Sequence, residues 1–268
     1  GHQTLGISES YAARLAMTMA GLWWAGFAIV TFVNLKEPRS YVSLPKELRR
    51  MPVWLAYMKV GINRTYITAL EVRKFKHLLL FLIAFFIYND GIQTVITMAT
   101  IYGKEELGLS LFDLMMTLLI IQFISIFGAL FFGKLGEKLS AKKGLIITLF
   151  LWSFVVIYAF FMTTAREYYF LGVIVGISLG GSQSLSRSLY GSIIPVNASA
   201  EFYGFYSVFN KFSAIWGPLV FGFINSFTGS SRLAIVSLVI FFIIGLVLLM
   251  MVDVEKAKEV KRMALFSG

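Results

Sequence analysis

The chain has 268 residues, of which 58% are hydrophobic and only 14% are charged. Soluble domains are roughly half apolar and about a quarter charged, so this composition excludes an ordinary soluble domain and indicates a protein embedded in a lipid bilayer. The sequence has no cysteine and two histidines, His2 and His77. Disulfides and thiolate sites are thereby excluded, and neither a metal site nor a cofactor is expected.

Seven apolar stretches are long enough to cross a bilayer as helices, which takes roughly 20 residues each. In chain order they cover residues 11–33, 77–102, 111–132, 144–163, 168–194, 202–227 and 233–252. No stretch alternates with a period of two over the length of a strand. The sequence therefore predicts an all-α, polytopic membrane helix bundle with about seven transmembrane helices.

The longest connection, residues 34–76, separates the first span from the other six and carries ten basic residues. Its later part, 53–72, mixes apolar and basic side chains, a pattern typical of a helix that lies on the anionic membrane surface. The chain is expected to divide into four parts. These are a first span (1–33), a central cytoplasmic loop with an interfacial helix (34–76), a six-helix unit (77–253) and a cytoplasmic tail (254–268).

Basic residues are sorted between alternate loops. Loop 34–76, loop 133–143 and the C-terminal tail hold most of them, whereas the other loops hold only Lys104, Arg166 and Arg232. Positively charged loops stay in the cytoplasm, so these segments and the C-terminus are expected to be cytoplasmic. The net charge of +10 is then a matter of topology, and a nucleic-acid partner is not expected.

The second span carries polar side chains within its apolar sequence: Asn89, Asp90, Gln93 and Thr94. Asp90 and Thr94 lie one helical turn apart, on one face. A carboxylate in a membrane-spanning helix costs at least ~2.5–3.5 kcal/mol, so Asp90 is expected to face an aqueous cavity or a partner. Proton relay or solute contact is one interpretation. A position near the outer surface, or a structural pair with a buried base, is the other.

The loop 133–143 reads Gly-Lys-Leu-Gly-Glu-Lys-Leu-Ser-Ala-Lys-Lys. It resembles the cytoplasmic signature of the major facilitator superfamily, with Glu137 in place of the commoner Asp and Ser140 in place of the second Gly. The resemblance implies a gating loop in which Glu137 pairs with basic groups and with the N-terminus of a neighbouring helix. The loop residues concerned are Gly133, Glu137, Lys138, Lys142 and Lys143. An ordinary basic turn is the alternative.

Two patterns overlap in the fifth span. Small residues recur every four positions, beginning with Gly172, Gly176 and Gly180, and they predict the close packing of another helix. On a different face, Gln183 and Arg187 lie one turn apart, well inside the apolar stretch. Arg187 is expected either to bind a carboxylate or phosphate, or to reach the cytoplasmic interface or join a closing salt bridge.

The sixth span places Tyr206 and Asn210 on one face, and Lys211 follows about ten residues into the apolar stretch. The dipeptide Gly217-Pro218 is expected to kink this helix and to pack at the kink. If the second and sixth spans are neighbours, Lys211 is expected to neutralise Asp90.

These segments together resemble the vacuole-effluxer-like branch of the major facilitator superfamily, which is related to yeast vacuolar amino-acid exporters and has bacterial homologues. The segments that carry the resemblance are 86–94, 180–188, 200–206, 211–214 and 217–218. The resemblance covers most of residues 11–253 and implies that the seven spans correspond to helices six to twelve of a twelve-helix transporter. Residues 77–253 are then its C-terminal six-helix half. The N-terminal half is a missing partner, in keeping with an odd number of spans.

The resemblance implies a secondary active transporter that works by alternating access and moves a small solute, with amino acids and proton coupling as candidates. The candidate solute and coupling-ion residues are Asn89, Asp90, Gln93, Thr94, Gln183, Arg187, Tyr206, Asn210 and Lys211. A bacterial plasma membrane is favoured over a vacuolar one, and the lipid bilayer and a small solute are the expected partners. An enzyme is not expected, because no paired catalytic motif appears. A membrane scaffold or regulatory subunit is the alternative.

Overall fold

The computed structural model describes residues 9–35, 51–72, 75–195 and 199–266, and every regular element in these ranges is an α-helix. The helices are α1 (Glu9–Asn34), α2 (Val53–Val72), α3 (Lys76–Leu107), α4 (Leu111–Leu139), α5 (Ala141–Phe161), α6 (Ala165–Ile193), α7 (Ser199–Phe212), α8 (Trp216–Thr228), α9 (Ser231–Ser237), α10 (Val239–Met251) and α11 (Val254–Phe266). The chain divides into two compact units, Gly1–Lys59 and Val60–Gly268. The first holds α1 and the start of α2, and the second holds the other helices.

Seven segments of the described chain are long and apolar enough to cross a membrane. They are Arg14–Asn34, Lys76–Leu107, Leu111–Leu139, Ala141–Phe161, Ala165–Ile193, Ser199–Thr228 and Ser231–Met251. Each overlaps one predicted span, so the predicted all-α polytopic bundle is confirmed. The helix expected at 53–72 is present as α2, whereas residues 36–50 of the central loop lie outside the described residues. The division of the chain into transporter parts stays a prediction.

The small residues of α6 allow this helix to lie directly against α4. A methyl group added to Gly176 would lie 2.9 Å from the carbonyl oxygen of Ile121, and one added to Gly172 would lie 2.7 Å from Cγ2 of Thr117. Gly180 faces the α4 backbone in the same way. Close backbone approach at small residues is the main way in which helices gain packing energy in a bilayer, where burial of apolar surface gives none.

Helix α3 packs against α10 through a pair of glycines, one on each helix. A methyl group on Gly91 would lie 3.0 Å from Cβ of Phe241, and one on Gly245 would lie 2.7 Å from Cβ of Tyr88. Of the seven spans, α3 and α6 have the largest buried share. They therefore form the centre of the six-helix unit, and a polar side chain on either helix is held in place by its neighbours.

The sixth span is broken into α7 and α8 by three non-helical residues, 213–215. The sequence predicted a kink at Gly217-Pro218, and the break lies just before it. Pro218 is the third residue of α8, where its missing N–H has no intrahelical acceptor to lose. Pro218 thus lies in the first turn of α8, and that turn leaves backbone N–H groups that need acceptors from elsewhere.

One end of the six-helix unit, here called the basic end, holds the start of α3, the α4–α5 turn and the end of α10. At the opposite end, Arg232 joins three helices. Its Nε lies 3.0 Å from Oε2 of Glu106, and its Nη1 donates to the carbonyl of Phe160 at 2.9 Å. A partly exposed ion pair of this kind contributes roughly 1 kcal/mol or less, so its main effect is to fix the order of the helix ends.

Candidate functional site

A small cavity, the wall cavity, lies between α3, α6 and α7 and has a volume of about 40 Å³. It is lined by Phe85, Tyr88, Asn89, Ile92, Gln93, Ser182, Gln183, Ser186, Arg187, Tyr206 and Asn210. Most of these residues recur at three- and four-residue spacing, so each helix presents one face to the cavity. Six of the nine predicted solute or coupling-ion candidates line it, whereas Asp90, Thr94 and Lys211 do not.

The wall cavity lies near the middle of the membrane-spanning helices. Asn89 is the fourteenth of the 32 residues of α3, which places it roughly 20 Å along a helix of about 48 Å at 1.5 Å per residue. Polar side chains at this depth are costly unless they are hydrogen-bonded or meet water or a ligand.

An amide pair connects α3 to the end of α7 at one side of the cavity. The Asn89 side-chain nitrogen donates to Oδ1 of Asn210 at 2.9 Å and to Oγ of Ser213 at 2.5 Å. Both amide hydrogens of Asn89 are thereby used, and the carboxamide nitrogen of Asn210 keeps its own two. Ser213 is the first residue after α7, so this pair also holds the helix break beside α3.

A chain of buried hydroxyl groups joins the cavity to the interior of the bundle. The Tyr88 hydroxyl lies 2.7 Å from Oγ of Ser186, and the Ser186 hydroxyl donates to the Ser182 carbonyl at 2.5 Å. Because Ser186 has one hydrogen and gives it to that carbonyl, Tyr88 is the donor in the first bond. Nε1 of Trp152 completes the chain by donating to Oγ of Ser182 at 3.3 Å.

Aromatic rings close the cavity on the side that faces the basic end. The ring of Tyr206 stacks on Phe85 with centroids 4.4 Å apart and lies 4.8 Å from the ring of Tyr190. The Tyr190 hydroxyl donates to the Phe202 carbonyl at 2.7 Å, so the cluster is anchored to the first turns of α7. These rings give the cavity one apolar side next to its amides.

Asp90 points away from the wall cavity and caps α8. Its Oδ2 accepts the backbone N–H of Gly217 at 2.8 Å, while Oδ1 is buried without a hydrogen-bond partner among the described residues. Thr94, one turn along, donates its hydroxyl to the Asp90 carbonyl at 2.7 Å. A carboxylate at a helix N-terminus is favoured by the free N–H groups and the helix dipole. Asp90 therefore meets its predicted need for a partner through backbone groups.

The expected pairing of Lys211 with Asp90 is wrong. Asp90 is only 1% exposed, whereas Lys211 is exposed and forms no ion pair with it. Lys211 is the next residue after Asn210 on α7, and a step of one residue turns a helical side chain by roughly 100°. The helix therefore turns Asn210 toward α3 and Lys211 away from it.

The loop 133–143 forms the turn between α4 and α5 at the basic end. Ser140, at φ 101° and ψ 148°, is the one non-glycine residue with positive φ in the described chain. Lys142 donates to the carbonyls of Met250 and Val252 at 2.8 and 2.7 Å, which satisfies the C-terminal end of α10. Glu137 and Lys138 are exposed, with no ion pair to any residue that the structure describes.

A groove of about 1100 Å³ lies beside this turn, between the ends of α6 and α10. Gly133, Glu137, Lys142 and Lys143 line it together with Asp253. The sequence did not indicate the part played by Asp253, whose carboxylate caps α11 by accepting the Lys256 N–H at 3.1 Å. An Asp at the end of an apolar span, followed by a charged stretch, is the N-cap signature that identifies it in retrospect.

No group of three or more histidine, cysteine, aspartate or glutamate side chains suited to a metal ion occurs among the residues of the described ranges. The chemistry of the wall cavity is thus hydrogen bonding by amides and hydroxyls, with one guanidinium, that of Arg187. Such a set of groups can bind and orient a solute.

The fold and this cavity define a multi-pass α-helical membrane protein with a polar site at mid-depth. The model of the family described as vacuole effluxer Atg22 like matches residues 2–262, and the chain belongs to that family. It is 33% identical over 260 residues to MFS-type transporter YxiO of Bacillus subtilis, a match that covers 97% of this chain and 58% of the relative.

Fungal relatives are similar over the same region. Autophagy-related protein 22-1 of Aspergillus fumigatus is 31% identical over 266 residues, covering 93% of this chain and 44% of the relative. Autophagy-related protein 22 of Kluyveromyces lactis is 29% identical over 264 residues, with 93% and 53% covered. The chain thus spans about half the length of the curated relatives it matches. The Bacillus subtilis relative is named as a transporter and the family is described as one of vacuole effluxers, and neither is the name of an enzyme.

Proposed function

We propose that the full-length protein is a secondary active transporter that moves a small solute by alternating access, and that the wall cavity is the C-terminal part of its solute site. The observation that carries the proposal is a set of amide, hydroxyl and guanidinium groups around an open cavity at mid-depth. Polar groups at this depth carry a free-energy cost, and a polar solute that binds to them offsets it. The names of the relatives point the same way.

The architecture suits such a transporter. Solute sites of secondary transporters lie near the bilayer midplane between two helical halves, beside discontinuous helices. Here α7 and α8 form a broken helix whose first part lines the cavity. In this proposal the wall made by α3, α6 and α7 faces a second helical half of the full-length protein. The α4–α5 turn and its groove form part of the cytoplasmic gate.

The orientation of the protein in the membrane follows from the distribution of its charged residues. The basic end collects Lys142, Lys143 and Lys258 beside its groove, and we assign this end and the C-terminus to the cytoplasm. A bacterial plasma membrane is the proposed location, supported by the match to a Bacillus subtilis protein along almost the whole chain.

Proton coupling is assigned to Asp90. Its carboxylate is buried at bilayer depth with one oxygen, Oδ1, unpaired among the described residues, so a proton has a free site there. Because Oδ2 bonds to the first turn of α8, protonation weakens a contact at the break of the sixth span. Coupling then arises when the proton and the solute favour different positions of α7 and α8.

A flux assay tests the proposal. The full-length protein is placed in proteoliposomes with an imposed pH gradient and screened against labelled amino acids, carboxylates, sugars and phosphate. Asn210→Ala is expected to lower the uptake of the transported solute at least tenfold, because it removes an amide of the cavity. Ser207→Ala is the matched control, since Ser207 is exposed on the same helix and donates only to the Tyr203 carbonyl.

The outcomes separate transport from coupling. Asp90→Asn is expected to abolish accumulation driven by the pH gradient while solute exchange without a gradient persists. Unchanged pH-dependent accumulation in this variant would remove Asp90 from the coupling step. Equal uptake by Asn210→Ala and Ser207→Ala would refute the assignment of the wall cavity, and a screen without any uptake would refute transport itself.

A further inference from the structure

The charge around the wall cavity is unbalanced. Among its eleven lining residues, one is cationic, Arg187, and none is acidic. The nearest acid along the chain, Asp90, turns its carboxylate to α8. Arg187 is exposed and forms no ion pair with a residue in the described ranges. The cavity thus has a net positive character.

The hydrogen bonds inside the cavity also leave donors free. Asn89 gives both of its amide hydrogens to protein acceptors, and the proton of Tyr88 goes to Ser186. Asn210 receives a hydrogen bond at Oδ1, so its nitrogen has two hydrogens for a ligand. Arg187 adds the five donors of a guanidinium. A ligand for this wall therefore needs acceptor atoms and negative charge.

We infer that the wall cavity binds a carboxylate of the transported solute, held by the Arg187 guanidinium with the Asn210 amide as a second donor. This inference rests on the proposed function. A planar guanidinium matches the two oxygens of a carboxylate, and one positive charge balances one carboxylate. A phosphate dianion needs a second cation, which the lining residues do not supply.

The same pairing gives Arg187 a counter-charge. A guanidinium on a membrane-spanning helix is costly while it is unpaired, and a bound carboxylate neutralises it. The complex then carries less charge than the empty site, so that binding favours passage through closed states in which water is excluded. The aromatic side of the cavity, with Phe85 and Tyr206, contacts the apolar part of the solute.

The experiment compares each carboxylate with its uncharged amide. The full-length protein in proteoliposomes is given the twenty standard L-amino acids, short aliphatic carboxylates, hexoses and inorganic phosphate. Every transported acid is then repeated as its carboxamide. The amide is expected to be taken up at least tenfold more slowly. Arg187→Gln is expected to reduce uptake of the acid at least tenfold. Arg187→Lys is expected to retain an intermediate rate, because lysine keeps the positive charge but lacks the planar guanidinium that matches two carboxylate oxygens.

Arg166→Gln is the matched control, because Arg166 is exposed near the start of the same helix and far from the cavity. It is expected to transport at the wild-type rate. A binding measurement is made in parallel: the thermal unfolding midpoint in detergent with each acid and its amide. The acid alone is expected to raise the midpoint, and only when Arg187 is present. The midpoints without solute show whether each variant is folded.

The failures are distinguishable. Equal uptake of acid and amide, or equal uptake by Arg187→Gln and wild type, overturns the carboxylate site while transport stands. Transport of phosphate that depends on Arg187 overturns the choice of carboxylate. If no solute is taken up but acids raise the midpoint through Arg187, the site stands and the transport function fails. If acids are not transported and do not shift the unfolding midpoint, the carboxylate site and the transport function are both rejected.

Discussion

Asp90 of the second span accepts the backbone N–H of Gly217 in the sixth span at its Oδ2, over a distance of 2.8 Å. The residues are close because Gly217 has no side chain. A methyl group there would lie 3.1 Å from the Asp90 carbonyl oxygen and still closer to Thr94. The N-cap residue of α8, Ile215, supplies no side-chain acceptor. The cap of α8 therefore comes from another helix.

The capping role of Asp90 predicts a stability order among its variants. Asp90→Asn keeps an acceptor for the Gly217 N–H, whereas Asp90→Ala leaves that buried donor unpaired at a cost of about 1–3 kcal/mol. The alanine variant is expected to unfold at a clearly lower temperature than the asparagine variant. The measurement is the unfolding midpoint of the full-length protein in detergent. Equal midpoints for the two variants would show that α8 does not depend on this cap.

Ser140 predicts a stabilising substitution in the α4–α5 turn. Its backbone, at φ 101° and ψ 148°, lies in a region that is essentially restricted to glycine, and a side chain there costs about 1–3 kcal/mol. Ser140→Gly is expected to raise the unfolding midpoint. Ser140→Ala is the control, because it keeps the strain and removes the weak 3.4 Å bond from the Lys143 N–H. A glycine variant no more stable than the alanine variant would contradict the argument.

The spans and their order were predictable from the sequence because each is a predominantly apolar segment with polar loops on both sides. Hydropathy is averaged over roughly 20 residues, so errors of a few positions in the boundaries do not change which spans are predicted. The position of the break in the sixth span was harder to predict from the sequence. Gly217-Pro218 indicated that the helix is interrupted, but proline is also the preferred start of a helix. In the structure it lies in the first turn of α8, so the break precedes it.

The polar residues of the site could be predicted from the sequence, but the contacts between them were harder to predict. Asn89, Gln183, Arg187 and Asn210 were identified as polar side chains within apolar spans, and they line one cavity. The partner of Asp90 was misassigned to Lys211, because sequence shows side-chain charges and not the backbone N–H groups that a broken helix exposes. Contacts between distant segments decide such pairings, and no local pattern records them.

The packing of α6 on α4 predicts that Gly176 does not tolerate a side chain. Its added methyl group would lie 2.9 Å from both Ile121 O and Ile124 Cβ, so Gly176→Ala forces the two helices apart. A loss of about 1–3 kcal/mol is expected, as for overpacked cores. Gly222→Ala is the control, since no described atom lies within 4 Å of its added methyl group. If Gly176→Ala unfolded no earlier than this control, the close contact would be disproved.

Asp253 predicts a dependence on pH at the basic end. It lies between the last span and α11, and the Lys256 N–H that its carboxylate accepts holds the pKa of Asp253 below its usual value. A carboxylate with a lowered pKa stabilises the folded state above its unfolded pKa of about 3.9, and that contribution is lost as pH falls through the folded value. The start of α11 is therefore expected to be unaffected between pH 7 and 5 and to loosen below about pH 4.

A nitroxide label at the exposed position Glu259 reports this change through its mobility in electron paramagnetic resonance spectra. The wild type is expected to gain mobility below about pH 4. Asp253→Asn, which keeps an acceptor but has no titrating group, is expected to give the same spectrum at pH 5 and pH 3. Because the backbone N–H of Asp253 also donates to Nδ1 of His77 at 3.2 Å, His77→Gln serves as a second control. A loosening that persists in Asp253→Asn and disappears in His77→Gln would assign the pH response to the other side of this contact.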